Sequence, residues 1–421
     1  RNVLGCPAAG LDGHECFDAQ PVVDAVSDFF EGNREYANLP RKYKMTITGC
    51  RDDCAQSQIN DVGLTPARKD IGGEQYYGFH AKVGGGLSDG PRMATTMDVF
   101  VRPEDAVEFC RAVAQTFKEL GDRHNRGVCR MRYLVQQMGT EAFEEAVRDR
   151  CSVDLRSKGV DLTEGYTGDH VGVHEQKQPG LNYVGFNVIA GRMGGEEFAE
   201  AARAAREYGT EDATVRLATD QNFLVTHVPE ENVEALLEEP FAADYQPDPG
   251  PFSRGAVGCT GSEFCNYGII ETKNRVRRWA RKLDDIVDTP EDLDVVRMHM
   301  SGCSASCAQP QIADIGFRGE TVQVDDPENT TNDEGDNLVE GMDFGLGGSL
   351  GADNEFLDWV ETAVPADAVV PALEELFAAY SEEREDGERF YAWCRGVGND
   401  RLRSIMQGAD APVSKGVAHG D

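Results

Sequence analysis

The chain has 421 residues, room for about three ordinary domains. Its 75 acidic residues against 41 basic ones leave a net charge of −34, and only 10 of the basic residues are lysine. This balance disfavours nucleic acid, whose phosphates need a basic face, and reads as a protein kept soluble in concentrated salt by a carboxylate surface. No apolar run reaches the ~18 residues of a membrane span and no export signal is visible, so a cytoplasmic protein is expected. Twelve cysteines then read as metal ligands and core thiols rather than as a disulfide framework.

The chain opens on Arg1-Asn2-Val3-Leu4, already inside a motif, and reads as N-terminally incomplete. Arg41, Lys42 and Lys44 lead into MTIT (45–48), which reads as a strand, so Lys42 and Lys44 would share one face. TGCRDDCAQSQINDVG (48–63) and SGCSASCAQPQIADIG (301–316) align at a constant offset. VGGGLSDG (83–90) returns as GLGGSLGAD (345–353), and VRPEDAV (101–107) as VPADAVV (364–370). Two copies of one α/β unit are the simplest reading. Cys110, Cys129, Cys151 and Cys394 lie in helix-like apolar contexts and are assigned to cores, and Cys50 and Cys54 to unliganded thiols of the first copy.

Between the copies, 181–191 alternates as a strand, 196–209 reads as a helix, 213–229 as two strands and 230–239 as a helix. That β-α-β-β-α order is a ferredoxin-like half-domain. PFAADYQPDPGPFSRG (240–255) is the linker into the second copy, and VDDPENTTNDEGDN (324–337) an acidic insertion between strands.

Cys259 and Cys265 are spaced C-x5-C, Cys303 and Cys307 C-x3-C. Structural zinc favours tighter C-x2-C knuckles, whereas four thiolates from two separate turns suit a cubane iron–sulfur cluster. Cys303 and Cys307 would share one helical turn after a strand at 295–300, and a helix at 266–282 would follow Cys265. Its KNRVRRWARK (273–282) is the most basic stretch in the chain. It would dock an acidic electron donor or neutralise acidic groups nearby. No strand–G-x-G-x-x-G–helix unit stands out, so neither flavin nor nicotinamide is expected.

GCTGSEFCNYGIIETKNR (258–275) and RMHMSGCSASCAQPQIADIGF (297–317) closely resemble the cluster and sirohaem segments of the assimilatory nitrite and sulfite reductases, and the resemblance spans essentially the whole chain. It implies an α+β fold with two pseudo-symmetric sirohaem-type α/β repeats at 1–155 and 250–410 and a ferredoxin-like half-domain at 165–240 between them. It implies a [4Fe–4S] cluster held by Cys259, Cys265, Cys303 and Cys307, with Cys307 also the axial sulfur of a sirohaem. Arg1, Lys42 and Lys44 would hold the small oxyanion substrate. Reduced ferredoxin would be the donor to a monomeric enzyme. Arg216 lies in text resembling the family's R-x-T-x-x-Q segment and is read as structural, and His174 and Lys177 as surface or interdomain residues. The text around both cysteine pairs and HEQKQPGLNYVGF (174–186) resembles ferredoxin-nitrite reductases, whereas Lys44 and GCRDDC lean towards sulfite reduction. A non-catalytic iron–sulfur or zinc protein is the alternative of a different class.

A net charge of −34 strains the compact state by self-repulsion, which salt screens. The thermal midpoint is expected to rise between low and molar potassium chloride. A flat or falling midpoint would contradict the reading of salt adaptation.

Overall fold

The repeated text folds twice into the same sheet. The computed structural model describes residues 2–166, 169–323 and 338–408; Arg1 and the insertion at 324–337 lie outside the described residues. The first copy holds β1 (Asn2–Gly5), α1 (Gln20–Phe30), β2 (Lys44–Ile47), β3 (Val62–Ile71), β4 (Glu74–Val83) and β5 (Thr95–Val101). Then follow α2 (Ala106–Leu120), α3 (Met131–Met138) and α4 (Thr140–Arg148). β1, β2 and β3 run parallel, and β3, β4 and β5 antiparallel, in that spatial order. β6 (Val160–Asp161) pairs with β3, so this sheet draws on residues past the expected boundary at 155.

The middle unit has β7 (Gly172–Glu175), β8 (Leu181–Phe186), α5 (Gly195–Tyr208), β9 (Val215–Leu217), β10 (Phe223–Pro229) and α6 (Glu230–Leu237). Its antiparallel sheet has the order β7-β8-β10-β9. β7 is one strand more than expected. The stretch read as a loop turns at Gly180, whose φ of +75° suits glycine, and pairs back on β8. His174 stacks on Tyr183, and Lys177 forms an ion pair with Glu15 of the first copy, an interdomain contact. Two short helices, α7 (Pro240–Asp244) and α8 (Pro251–Arg254), each start at a proline of the linker.

The second copy repeats the first: β11 (Ala256–Gly258), α9 (Lys273–Ile286), β12 (Met298–Ser301), β13 (Ile315–Gln323), β14 (Leu338–Leu346) and β15 (Asp358–Pro365). α10 (Val369–Glu383), α11 (Phe390–Val397) and α12 (Asn399–Gly408) complete it. Strand order and direction match those of the first sheet.

Periodicity explains the packing. In α2, Phe109, Val113 and Phe117 recur every four residues and face the sheet, with Cys110 in the same buried stripe. Cys394 sits likewise in the second core, Cys129 is buried, and Cys151 packs at the edge of the first core. The copies meet through Ile59 and Ile312, equivalent residues buried in one cluster with Leu350. The Gln58 amide adds a two-way bond to the Gly351 backbone, at 2.8 and 2.9 Å.

The glycine runs serve close packing. At Gly85 and at Gly348, an added Cβ would lie 2.6 Å from a backbone carbonyl of the loop beneath, Gln58 or Ala313. Gly85→Ala and Gly348→Ala are each expected to cost about 2–3 kcal/mol in urea unfolding. Gly396→Ala, in α11 with open space around it, should be neutral or stabilising by up to about 1 kcal/mol. Equal behaviour of the three would refute this packing role.

Candidate active site and metal centre

Cys259 follows directly on β11. Its amide donates to the Met300 carbonyl (3.1 Å), its carbonyl accepts from Thr272 Oγ1 (2.7 Å), and the Gly302 N–H points at its sulfur (3.2 Å). Gly261 turns the loop with a φ of +67° that favours glycine. The helix expected from residue 266 begins only at Lys273. The amides of Ser262, Gly268 and Ile269 are tied across the loop to Ile270, Cys265 and Gly302 carbonyls, and helix start falls to Glu271, whose carboxylate accepts from the Asn274 and Arg275 amides.

Cys303 and Cys307 sit in the loop after β12, not in a helical turn. Ser306 and Gln309 have φ of 55° and 60°, which breaks the helix the spacing suggested. Cys307 is exposed and the other three are partly so. Burial of its sulfur, then the fields of Cys259 and Cys303, push the Cys307 thiol above the ordinary range, while Lys42 pulls the other way. Among the described residues no three of these four sulfurs fall within 4.8 Å of one another, too open for one ion. Four thiols set further apart than one ion allows fit a multi-iron cluster, whose irons separate the sulfur ligands.

Tyr43 is buried and its hydroxyl donates to the Cys110 carbonyl (3.2 Å), so extended backbone turns Lys42 and Lys44 to the opposite face. The Lys44 amide donates to Asp61 (2.9 Å), a fully buried carboxylate that also binds Arg130 at 3.1 Å. Burial lowers the Lys44 pKa, against the fields of Asp61 and Cys307. Lys42 and Lys44 of the first copy therefore share an electrostatic neighbourhood with Cys307 of the second. Arg1 lies outside the described residues; β1, from Asn2, is in register with Lys44.

A cavity of about 790 Å³ opens here, lined by Lys44, Gln56, Asn60, Arg216, Thr219 and Gln309, with β1 along one wall. Its size lies in the range of cofactor sites, ~300–1,000 Å³. A second cavity, lined by Tyr166, Arg254 and Arg297, holds only about 140 Å³, too little for a tetrapyrrole. Two cations and several amides suit a carboxylate-rich macrocycle, and the donor set fits one. Arg216, read from sequence as structural, does donate to the carbonyls of Pro7 (3.1 Å) and Ala9 (2.7 Å), but it also lines this cavity. Gln56 and Gln309 were missed. They are equivalent residues with matching left-handed φ of 58° and 60°, and the repeat itself was the signal that pairs them.

The basic helix divides its charges. Lys273 bonds the carbonyls of Ala190 and Gly258, and Arg275 pairs with Glu340, so neither is on an open face. Arg278, Arg281 and Lys282 are exposed and Arg277 half-buried. Phe264 and Tyr267, flanking Cys265, are 73% and 82% exposed, a bare aromatic surface beside the thiols.

Residues 1–155 and 250–412 match the nitrite and sulphite reductase 4Fe-4S domain, and residues 174–243 the nitrite/sulfite reductase ferredoxin-like half domain. The assimilatory ferredoxin-dependent nitrite reductase of Haloferax mediterranei is 39% identical over 97% of this chain and 70% of its own. The ferredoxin–nitrite reductase of Synechococcus elongatus is 37% identical over 89% of this chain and 71% of its own. The solved structure of Mycobacterium tuberculosis NirA protein superposes with a TM-score of 0.85 at 30% identity, over 96% of this chain and 71% of that one.

Asp61 anchors the Lys44 backbone only while Arg130 compensates its charge. Arg130→Leu should therefore cost about 3–5 kcal/mol in denaturant unfolding. Adding Asp61→Asn should recover much of the loss; a double variant no more stable than the single one would show that the pair is not the cause.

Proposed function

The chain belongs to the nitrite and sulphite reductase family, and on that premise we propose that it is a ferredoxin-dependent enzyme reducing nitrite to ammonium with six electrons. The observation that carries this reading is a cavity of about 790 Å³ lined by Lys44 of one copy and Gln309 of the other, with Lys42 and Lys44 in the electrostatic field of Cys307. Cys259, Cys265, Cys303 and Cys307 would hold the [4Fe–4S] cluster, and Cys307 the sirohaem as well. When bound, these groups supply an iron open to small anions and a route for electrons.

The chain's own residues do the rest. Lys42 and Lys44, with Arg1, neutralise the anion and fix its orientation. Lys44, its pKa lowered by burial, gives up a proton more readily than a free lysine as the oxygens leave as water. Arg216 and the paired glutamines Gln56 and Gln309, which line the cavity, would hold the carboxylates of the macrocycle. Ferredoxin, an acidic protein, docks against Arg277, Arg278, Arg281 and Lys282 with Phe264 and Tyr267 as its apolar contact beside the cluster. No helix among the described residues is long and apolar enough to cross a membrane.

Lys44 adds a second charge that suits a doubly charged anion, so sulfite is the substrate to test against. With reduced ferredoxin, kcat/KM for nitrite should exceed that for sulfite. Lys44→Asn should lower the nitrite value about 10²-fold and the sulfite value further, because the lost Coulomb attraction scales with substrate charge. A preference for sulfite would overturn the assignment of substrate.

A further inference from the structure

The offset that carries Cys50 onto Cys303 and Cys54 onto Cys307 also carries Cys6 onto Cys259 and Asp12 onto Cys265. The sheets agree: Cys6 follows β1 as Cys259 follows β11. The first copy thus retains three of the four thiols and a carboxylate at the fourth place. Reading Cys50 and Cys54 as unliganded overlooked this pair, because Cys6-x5-Asp12 is not a cysteine motif.

The geometry here is tighter than at the cluster thiols. The Cys6 and Cys54 sulfurs and a ring nitrogen of His170 all lie within 4.8 Å of one another, and the three residues are buried. Cys6 Sγ stands 3.4 Å from His170 Nε2. Bonds of ~2.3 Å to sulfur and ~2.05 Å to nitrogen at a tetrahedral ion would place these atoms about 3.6 Å apart. His170 is aimed from behind. Its Nδ1 meets the Tyr183 hydroxyl (3.2 Å), which donates to Asp12 (3.4 Å), the carboxylate relay that orients a metal-bound imidazole. Its backbone has a φ of 57°, uncommon for a side-chain-bearing residue, and its carbonyl sits where Gly185 would carry a Cβ, 1.7 Å away.

We propose that Cys6, Cys54 and His170 bind one zinc ion, which leaves its fourth position to water. Binding releases the two thiol protons of Cys6 and Cys54 to solvent, with no change of oxidation state. The ion ties three segments together: the end of β1, the loop after β2 and the entry to the half-domain. Because Cys6 also lines the large cavity, the ion fixes one of its walls.

The test is metal analysis of the purified holoprotein and its variants, with folding followed by circular dichroism. About one zinc per chain is expected beyond the iron. Cys6→Ser and His170→Gln should lose zinc and keep iron, Cys307→Ser should do the reverse, and Asp12→Asn should weaken zinc affinity about 10–100-fold. Should the cysteine variants fail to fold, cobalt(II) exchanged into the wild-type chain serves instead: thiolate-to-cobalt absorption in the near ultraviolet supports the site. Absence of both zinc and cobalt signals, a Cys6–Cys54 disulfide in the intact mass, or extra iron and sulfide lost with Cys6→Ser would each overturn it.

Discussion

The contact on which the arrangement depends is Ile59 against Ile312. They are equivalent residues of two copies of one unit, and equivalent residues can touch only where the axis relating the copies passes. Their burial together fixes that axis between the loops after β2 and β12. An apolar cluster and the Gln58–Gly351 amide bonds hold these loops in place, and Cys307 falls in the field of Lys42 and Lys44. The glycines beneath, Gly85 and Gly348, let each copy bring those loops close enough.

Within a strongly anionic protein, the cavity draws two cations, Lys44 and Arg216, into its lining. Elsewhere the arginines are engaged: Arg203 with Glu200, Glu207 and Glu239, Arg384 with Asp292, Arg401 with Glu383. Exposed pairs like these stabilise little, about 0–1 kcal/mol each. Lys44 and Arg216 are different. Burial is the first cause lowering both pKa values; Asp61 beside Lys44 and Asp18 and Glu15 near Arg216 offset that cost in part, and an anionic occupant would offset it further. Added salt screens the surface pairs far more than these buried charges, so the cavity keeps its preference for anions as ionic strength rises.

What the sequence made legible was whatever depends on spacing between like residues. The two thiol pairs, the repeat, and the periodic stripes of α2 and α5 could be read directly. What it hid were features built from ordinary residues in unusual backbone states. Gln56 and Gln309 turn left-handed where glycine would have announced a turn, and Ser306 does the same inside C-x3-C, so a spacing that fits a helix folds as a loop. The start of α9 is set by the side chain of Glu271, seven residues later than charge and apolar pattern suggested. β7 is too short to show an alternation of its own and exists through its pairing with β8.

The two copies show how one scaffold can separate into two kinds of metal chemistry. Four thiols held apart around shared space suit a cluster; replacing one by Asp12 removes a soft ligand and leaves an acceptor that cannot bridge to iron in the same way. The gap is then closed from outside the repeat, by His170 on the strained entry to the half-domain. Redox chemistry needs an open, partly exposed sulfur such as Cys307, whereas a structural ion needs enclosure, and the burial of the two sites divides along that line. The buried site stands at the wall formed by β1 and so shapes the cavity that the open one serves.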